Sequence, residues 1–421
     1  MAETHPVDRG RRRLMRRAFA IGCAAAFPAC AATAPAVDAA AGAHEAREDF
    51  DALWSAIDSR YAYIGERRAA WKRARDAFRR QATAAASRDE LAQVMERMLA
   101  ALRDDRVLLS PRAPLSPRRV PQETDVWALW KDGAAIVESV RVAGDADYAG
   151  VRPGEIVGRI DSVPVAEAVA RHLGDARDAS ARDRDWALRH LLAGPRHGTL
   201  ALDLGGPEAR HVDIERNGRA PAAQPPLLAR RMGEERDIGY VRLKTPADER
   251  LADHFGAALE QLAGTRALML DLRDATEGLR PVTLGVLARL ARRTGAWQVR
   301  VSRSGHRIED RVAAARDPYR GPLVVLVDRW TAGEGEALAA GLVAVADARL
   351  VGTPMARLRG ELHEVRLRHS GIVVRFPGEK VLHVDGTPRE MLQPAVAIDP
   401  AAPSGGPGDP ILYQALKLLE K

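Results

Sequence analysis

The chain has 421 residues, enough for two or three domains around a sizeable core. Its formal charge of +7 raises the question of nucleic acid, yet only six of the 64 basic residues are lysine, and the arginines beyond position 17 are scattered among acids. No basic stripe with interleaved aromatics appears, which excludes nucleic acid from the expected partners.

Residues 1–43 read as an export signal. Arg9, Arg11, Arg12, Arg13, Arg16 and Arg17 form a positive start, the alanine-rich run Ala18 to Ala32 follows, and small residues come next. The run is too short to span a bilayer comfortably. The expected location is therefore periplasmic or extracellular, by a general, twin-arginine or lipoprotein route. Phe27-Pro28-Ala29-Cys30 is a poor lipoprotein cleavage site, so membrane contact is expected only if Cys30 carries a lipid. Both cysteines, Cys23 and Cys30, lie in this segment, and a chain cut beyond them has no thiol for disulfides, metal or nucleophilic attack.

Residues 44–110 read as a helical module. Phe50, Leu53, Trp54, Ile57 and Tyr61 recur at helical spacing, as do Leu91, Val94, Met95, Met98 and Leu102, with Trp71 and Phe78 expected in the core. Ser87 to Glu90 has the form of a capping box. Pro111, Pro114, Pro117 and Pro121 then mark a linker.

Residues 122–218 read as a β-rich module, with a strand at Ala134 to Val140. The stretch Ala149 to Val165, with Arg152-Pro153-Gly154-Glu155-Ile156 and Asp161-Ser162-Val163-Pro164, resembles PDZ domains, which take extended peptides at a sheet edge. A structural insertion with a closed groove remains the alternative. Pro221 to Leu228 reads as a second linker.

Residues 229–402 alternate between strands and helices, the pattern of an α/β core. Strands are expected at Ile238 to Leu243, Ala267 to Leu272, Trp297 to Ser302, Leu323 to Val327 and Arg349 to Gly352. Helices are expected at Arg250 to Leu262 and Pro281 to Arg292, and a hairpin turns at Ser370-Gly371. The unbroken apolar run Leu323 to Val327 reads as a strand buried on both faces. It leads through Asp328 to Gly335 into a helix, an elbow at which enzymes often place a nucleophile. Thr331 and Glu334 fit a capping box there. Residues 403–421 hold a closing helix from Asp409 to Leu419.

These pieces in this order resemble the S41 peptidases: tail-specific or C-terminal-processing proteases and their tricorn-like relatives. The carrying residues are Ile238 to Leu243, Leu268 to Arg273, Val324 to Ala340, Val351 to Ala356 and Leu382 to Glu390. The resemblance implies a crotonase- or ClpP-like α/β core behind a small helical module and a PDZ-like module. It also implies a serine at the elbow, a histidine after the helical module or a lysine after the elbow helix as its base, an acid orienting that base, and oxyanion donors near a glycine pair.

On the family pattern the nucleophile falls on Gly333, the histidine on Arg106 and an acid on Glu336. The oxyanion region falls on Gly278, Leu279 and Glu334. Glycine has no nucleophile and arginine cannot act as a base. The lysine alternative is lost as well, its place being taken by Arg357 and Arg359. Glu334 and Glu336, at a helix start, are expected to be ionised and weakly basic. No metal spacing occurs among the 11 histidines, and no cofactor is implied. The expectation is a serine-peptidase-like protein without peptidase activity that binds polypeptide segments or protein C-termini. An active serine-type endopeptidase with a relocated nucleophile is the alternative.

Overall fold

The computed structural model describes residues 36–174, 179–205, 209–216, 225–244, 248–402 and 408–420, with side chains from residue 42 onward. Both cysteines and almost all of the export segment fall outside the described residues. Among those described, no helix is long and apolar enough to cross a membrane.

Three helices come first: α1 (Ala36–Arg60), α2 (Ile64–Thr83) and α3 (Arg88–Leu99). The apolar spacing read from the sequence is the face they bury. Phe50, Leu53, Ile57, Tyr61, Trp71, Met95 and Met98 share one cluster, with Phe78 at its margin. Ser87 caps α3 by accepting the Glu90 N–H. The Glu90 carboxylate takes the Ala86 N–H at 2.8 Å rather than closing the box on Ser87. The proline-bearing segment that follows β1 (Leu108–Ser110) is more than a linker, because Ala113, Ser116 and Val120 are buried.

The β-rich module contains β2 (Val126–Lys131), β3 (Ala134–Val140), α4 (Asp145–Tyr148), β4 (Ile156–Ile160) and β5 (Val163–Pro164). It continues with α5 (Val165–Leu173), α6 (Ala181–Ala193), β6 (Thr199–Gly205) and β7 (Arg210–Glu215). Its sheet runs β2-β3-β4-β6-β7, so β3 lies inside and β2 is an edge. That edge is partly occupied: the Trp130 N–H donates to Asp185 of α6 at 2.7 Å.

The core follows with β8 (Leu227–Met232), β9 (Ile238–Leu243), α7 (Leu251–Gln261), β10 (Ala267–Asp271) and α8 (Arg280–Leu290). Next come β11 (Gly295–Ser302), β12 (Arg307–Val312), β13 (Leu323–Val327), α9 (Glu334–Ala346) and β14 (Arg349–Gly352). The chain closes with β15 (Glu361–Arg366), β16 (Val373–Leu382), β17 (Val396–Ala397) and α10 (Pro410–Leu419). Leu227 and Leu228, read as linker, open β8.

The central sheet has the order β17-β14-β13-β10-β9-β8, parallel except for β8. All five residues of β13 are buried, as a strand covered on both faces requires. Leu323, Val325 and Val327 pack into the cluster containing α8 and α9, while Val324 and Leu326 meet Ile411, Ala415 and Leu419 of α10. A second sheet, β1-β16-β11-β12 with β15 on β16, ties the helical module to the core. The fold is mixed α/β, with a helical module and a β-rich module in front of the core.

Candidate active site

The elbow between β13 and α9 is fixed before any chemistry is considered. Thr331 is fully buried; its hydroxyl donates to the Leu272 carbonyl at 3.0 Å and accepts the Asp328 N–H at 3.0 Å. The Asp328 carboxylate accepts the Trp330 N–H at 2.9 Å, and burial pushes its pKa up to about 6. Trp330 donates its indole N–H to the Thr124 carbonyl at 2.8 Å, and Arg329 pairs with Glu138 of β3. The β-rich module is thereby bolted to the elbow.

Gly333 is the N-cap residue of α9, at φ 57 and ψ −113. A side chain there is strained whatever space surrounds it. Its N–H donates to Glu336 at 3.1 Å. This corrects the expected capping box. The helix starts two residues later than a Thr331–Glu334 box requires, so the reaching carboxylate is Glu336 and the cap has no side chain. Glu334 instead accepts the Thr283 hydroxyl of α8 at 2.7 Å. Gly335 lets α9 approach the loop after β10, since a Cβ on it would stand 2.2 Å from the Ala275 carbonyl oxygen.

Glu336 is fully buried. Besides the Gly333 N–H, it accepts those of Arg357 at 2.8 Å and Leu358 at 3.2 Å, clamping the segment after β14 onto the elbow. Burial pushes its pKa up to about 7, while Arg389, Arg106 and the backbone donors pull the other way. The expectation of a readily ionised acid at a helix start is thus overturned: desolvation outweighs the helix dipole.

Arg106 points at the elbow. One of its terminal nitrogens lies 3.8 Å from where a Cβ on Gly333 would stand, and the Thr276 carbonyl oxygen lies 3.4 Å from that point. Its other terminal nitrogen donates to the Gly360 carbonyl, which also accepts from the buried Arg389 at 3.1 Å. Burial and Arg389 lower the Arg106 pKa, and Glu336, Glu361 and Glu334 hold it up. No hydroxyl stands at Gly333, and the side chain beside it is a permanently charged guanidinium.

The turn carrying Arg106 engages three packing units with three successive side chains. Asp104 accepts the Tyr61 hydroxyl at 2.6 Å, Asp105 binds His190 at 2.8 Å and Arg189 at 3.2 Å, and Arg106 reaches Gly360. Of the expected oxyanion region, Gly278 and Leu279 form the extended approach to α8, with Leu279 as its N-cap residue. Gly333, Arg106 and Glu336 are brought together; Glu334 belongs to the α8–α9 contact. The sequence reading missed Arg389, which meets Arg106 on one carbonyl and sits 283 positions away. Among the described residues, no group of three or more His, Cys, Asp or Glu could hold a metal ion.

Residues 237–398 match the model of Peptidase family S41, and residues 43–100 match that of the Tricorn protease C1 domain. No curated protein matches the sequence. Among solved structures, the photosystem II D1 C-terminal processing protease is similar at a TM-score of 0.56 and 19% identity, covering 85% of this chain and 94% of its own. Mature CPAF is similar at 0.56 and 14% identity, covering 85% and 93%. A putative peptidase from Parabacteroides merdae ATCC 43184 is similar at 0.51 and 15% identity, covering 90% and 97%. At these identities the likeness is one of fold.

Proposed function

Because residues 237–398 belong to peptidase family S41, we propose that the chain is a degenerate peptidase that holds polypeptide segments without cutting them. One observation carries the reading: a guanidinium nitrogen of Arg106 lies 3.8 Å from the Cβ position of a residue, Gly333, that has no side chain. Acyl transfer needs a nucleophile and a group to take its proton, and neither residue type can serve. Thr331, two positions before Gly333 in the chain, has its hydroxyl committed to the Leu272 carbonyl and the Asp328 N–H. The similar proteins named above include proteases, which supports polypeptide as the bound class.

In this reading the β-rich module is PDZ-like and contributes to peptide capture, and residues 1–43 direct export. The domain limits are those of the sequence: 44–110, 122–218, 229–402 and a closing segment 403–421. A fluorophosphonate probe separates this function from an active hydrolase with a relocated nucleophile. The expected result is no covalent labelling of the folded chain. Stoichiometric labelling that disappears on unfolding would overturn it.

A further inference from the structure

A cavity of about 360 Å³ opens beside the elbow, between α6, β2 and the segment that follows β14. Six arginines line it: Arg103, Arg182, Arg189, Arg329, Arg357 and Arg359. Five of them have acid partners. Arg103 pairs with Asp183, Arg182 and Arg359 with Glu66, Arg189 with Asp105, and Arg329 with Glu138. Among the described residues Arg357 has no acid partner; its guanidinium makes one long contact, 3.4 Å to the Gln393 side-chain oxygen.

Resting on the peptide-binding reading, we propose that Arg357 is the anchor for an acidic side chain of a bound, extended polypeptide. Three features converge. The residue is held at φ 64, a left-handed conformation that costs a side-chain-bearing residue energy, and its N–H is fixed by Glu336 at 2.8 Å. Its position is therefore set by the same clamp that organises the elbow. Burial first, then the field of Arg329 and Arg189, pull its pKa below the usual arginine range against the opposing pull of Glu138 and Asp185, although arginine keeps its charge. A carboxylate from outside relieves that repulsion.

Four carboxylates also line the cavity: Asp104 accepts from Tyr61, Asp105 binds Arg189 and His190, Glu390 meets Arg359 and Tyr63, and Asp185 is bound to the Trp130 N–H while burial raises its pKa. Asp185 competes weakly for Arg357. Leu129 and the exposed Met391 supply apolar surface on the same cavity, so the fitting segment carries a glutamate or aspartate beside apolar residues.

The test is calorimetry on the full chain with three peptides. Two are capped at both ends and differ only in a central glutamate or glutamine flanked by leucines. The third has the glutamine sequence and a free C-terminal carboxylate. The glutamate peptide is expected to bind about tenfold more tightly than its glutamine counterpart, the scale of a charge-assisted hydrogen bond. Arg357→Ala is expected to abolish that preference while keeping the backbone N–H to Glu336 and the melting temperature.

Equal binding of the two capped peptides, or a preference that survives Arg357→Ala, overturns the anchor and leaves peptide binding intact. Binding of the free-terminus peptide alone overturns it too, by assigning the cavity to a chain end. No binding of any peptide at millimolar concentration overturns both readings.

Discussion

A terminal nitrogen of Arg106 lies 3.8 Å from the place where a Cβ on Gly333 would stand, so a loop residue and a helix cap separated by 227 positions meet at what the proposed reading takes for a vacated reaction centre. Two separate obstacles to catalysis follow from that contact. The cap lacks a hydroxyl, and the space beside it holds a cation in place of a base.

Restoring activity should require both obstacles to be removed. Wild-type protein is expected to leave casein intact. Gly333→Ser alone stays at background and costs about 1–3 kcal/mol of stability, because serine must adopt φ 57 and ψ −113. Arg106→His alone also stays at background. Gly333→Ser with Arg106→His is expected to cleave measurably, since a general base contributes ~10²–10⁴-fold. Adding Leu279→Gly raises the rate further if it supplies an oxyanion donor, worth ~10²–10³. Fluorescent casein assays rank the variants. Cleavage by wild type that a serine-directed inhibitor blocks would refute the ordering.

Glu336 gives stability a pH dependence. Its folded-state pKa is raised from the ordinary 4.5 to about 7 by burial. The native state therefore holds a proton that the unfolded chain releases between those values. This contribution is fully present below about pH 4.5 and is lost as pH rises through about 7, an effect of roughly 3 kcal/mol. Urea unfolding at pH 5 and pH 8 should show Glu336→Gln flattening the decline by that order. An unchanged slope in the variant would mean that Arg106 and Arg389 neutralise the buried charge.

Asp105 stabilises in the opposite direction. Arg189 and His190 hold its pKa below the usual carboxylate range against the pull of burial. Its contribution is present above about pH 4, the ordinary carboxylate range, and is lost as pH falls through the lowered folded value. Asp105→Ala leaves two cationic or ionisable partners unpaired, with an expected cost of about 3–5 kcal/mol at pH 7. Asp105→Asn should cost less, because it keeps hydrogen-bonding capacity. Calorimetric melts check both, and equal melting of the alanine variant and wild type would show the cluster to be inert.

Export can be checked by N-terminal sequencing from the native host. The arginine cluster and alanine run predict a mature start between about residues 30 and 45. An intact Met1 on a cytoplasmic protein would contradict that.

Four of the six strands of the central sheet were legible because burial on both faces leaves a largely apolar signature, whereas β8 and β17 at its edges were not. Ile238–Leu243, Leu323–Val327 and Arg349–Gly352 have the limits their composition implies. β16 was harder: Pro377 and Gly378, residue types that weaken a strand, fall inside it, yet the strand runs through them to Leu382. β12 was not visible at all, because Arg307–Val312 is mostly charged, and its Asp310 finds arginine partners on β11 and α8. At the site, pattern located Gly333 and Arg106 but misjudged the cap, since a glycine N-cap leaves no side-chain signature. The state of Glu336 depends on burial by segments more than 20 positions away, which no local reading supplies.

The turn Asp104–Arg106 has a mechanical consequence. Tyr61, His190 and Gly360 lie in the helical bundle, the β-rich unit and the core respectively, and all three fasten to this one short arc. Tilting any unit against the other two must stretch one of those attachments. The arc thus works as an alignment key among the three units. A fluorescent reporter at Val107, the next residue in the chain, would register such tilting from whichever unit it began.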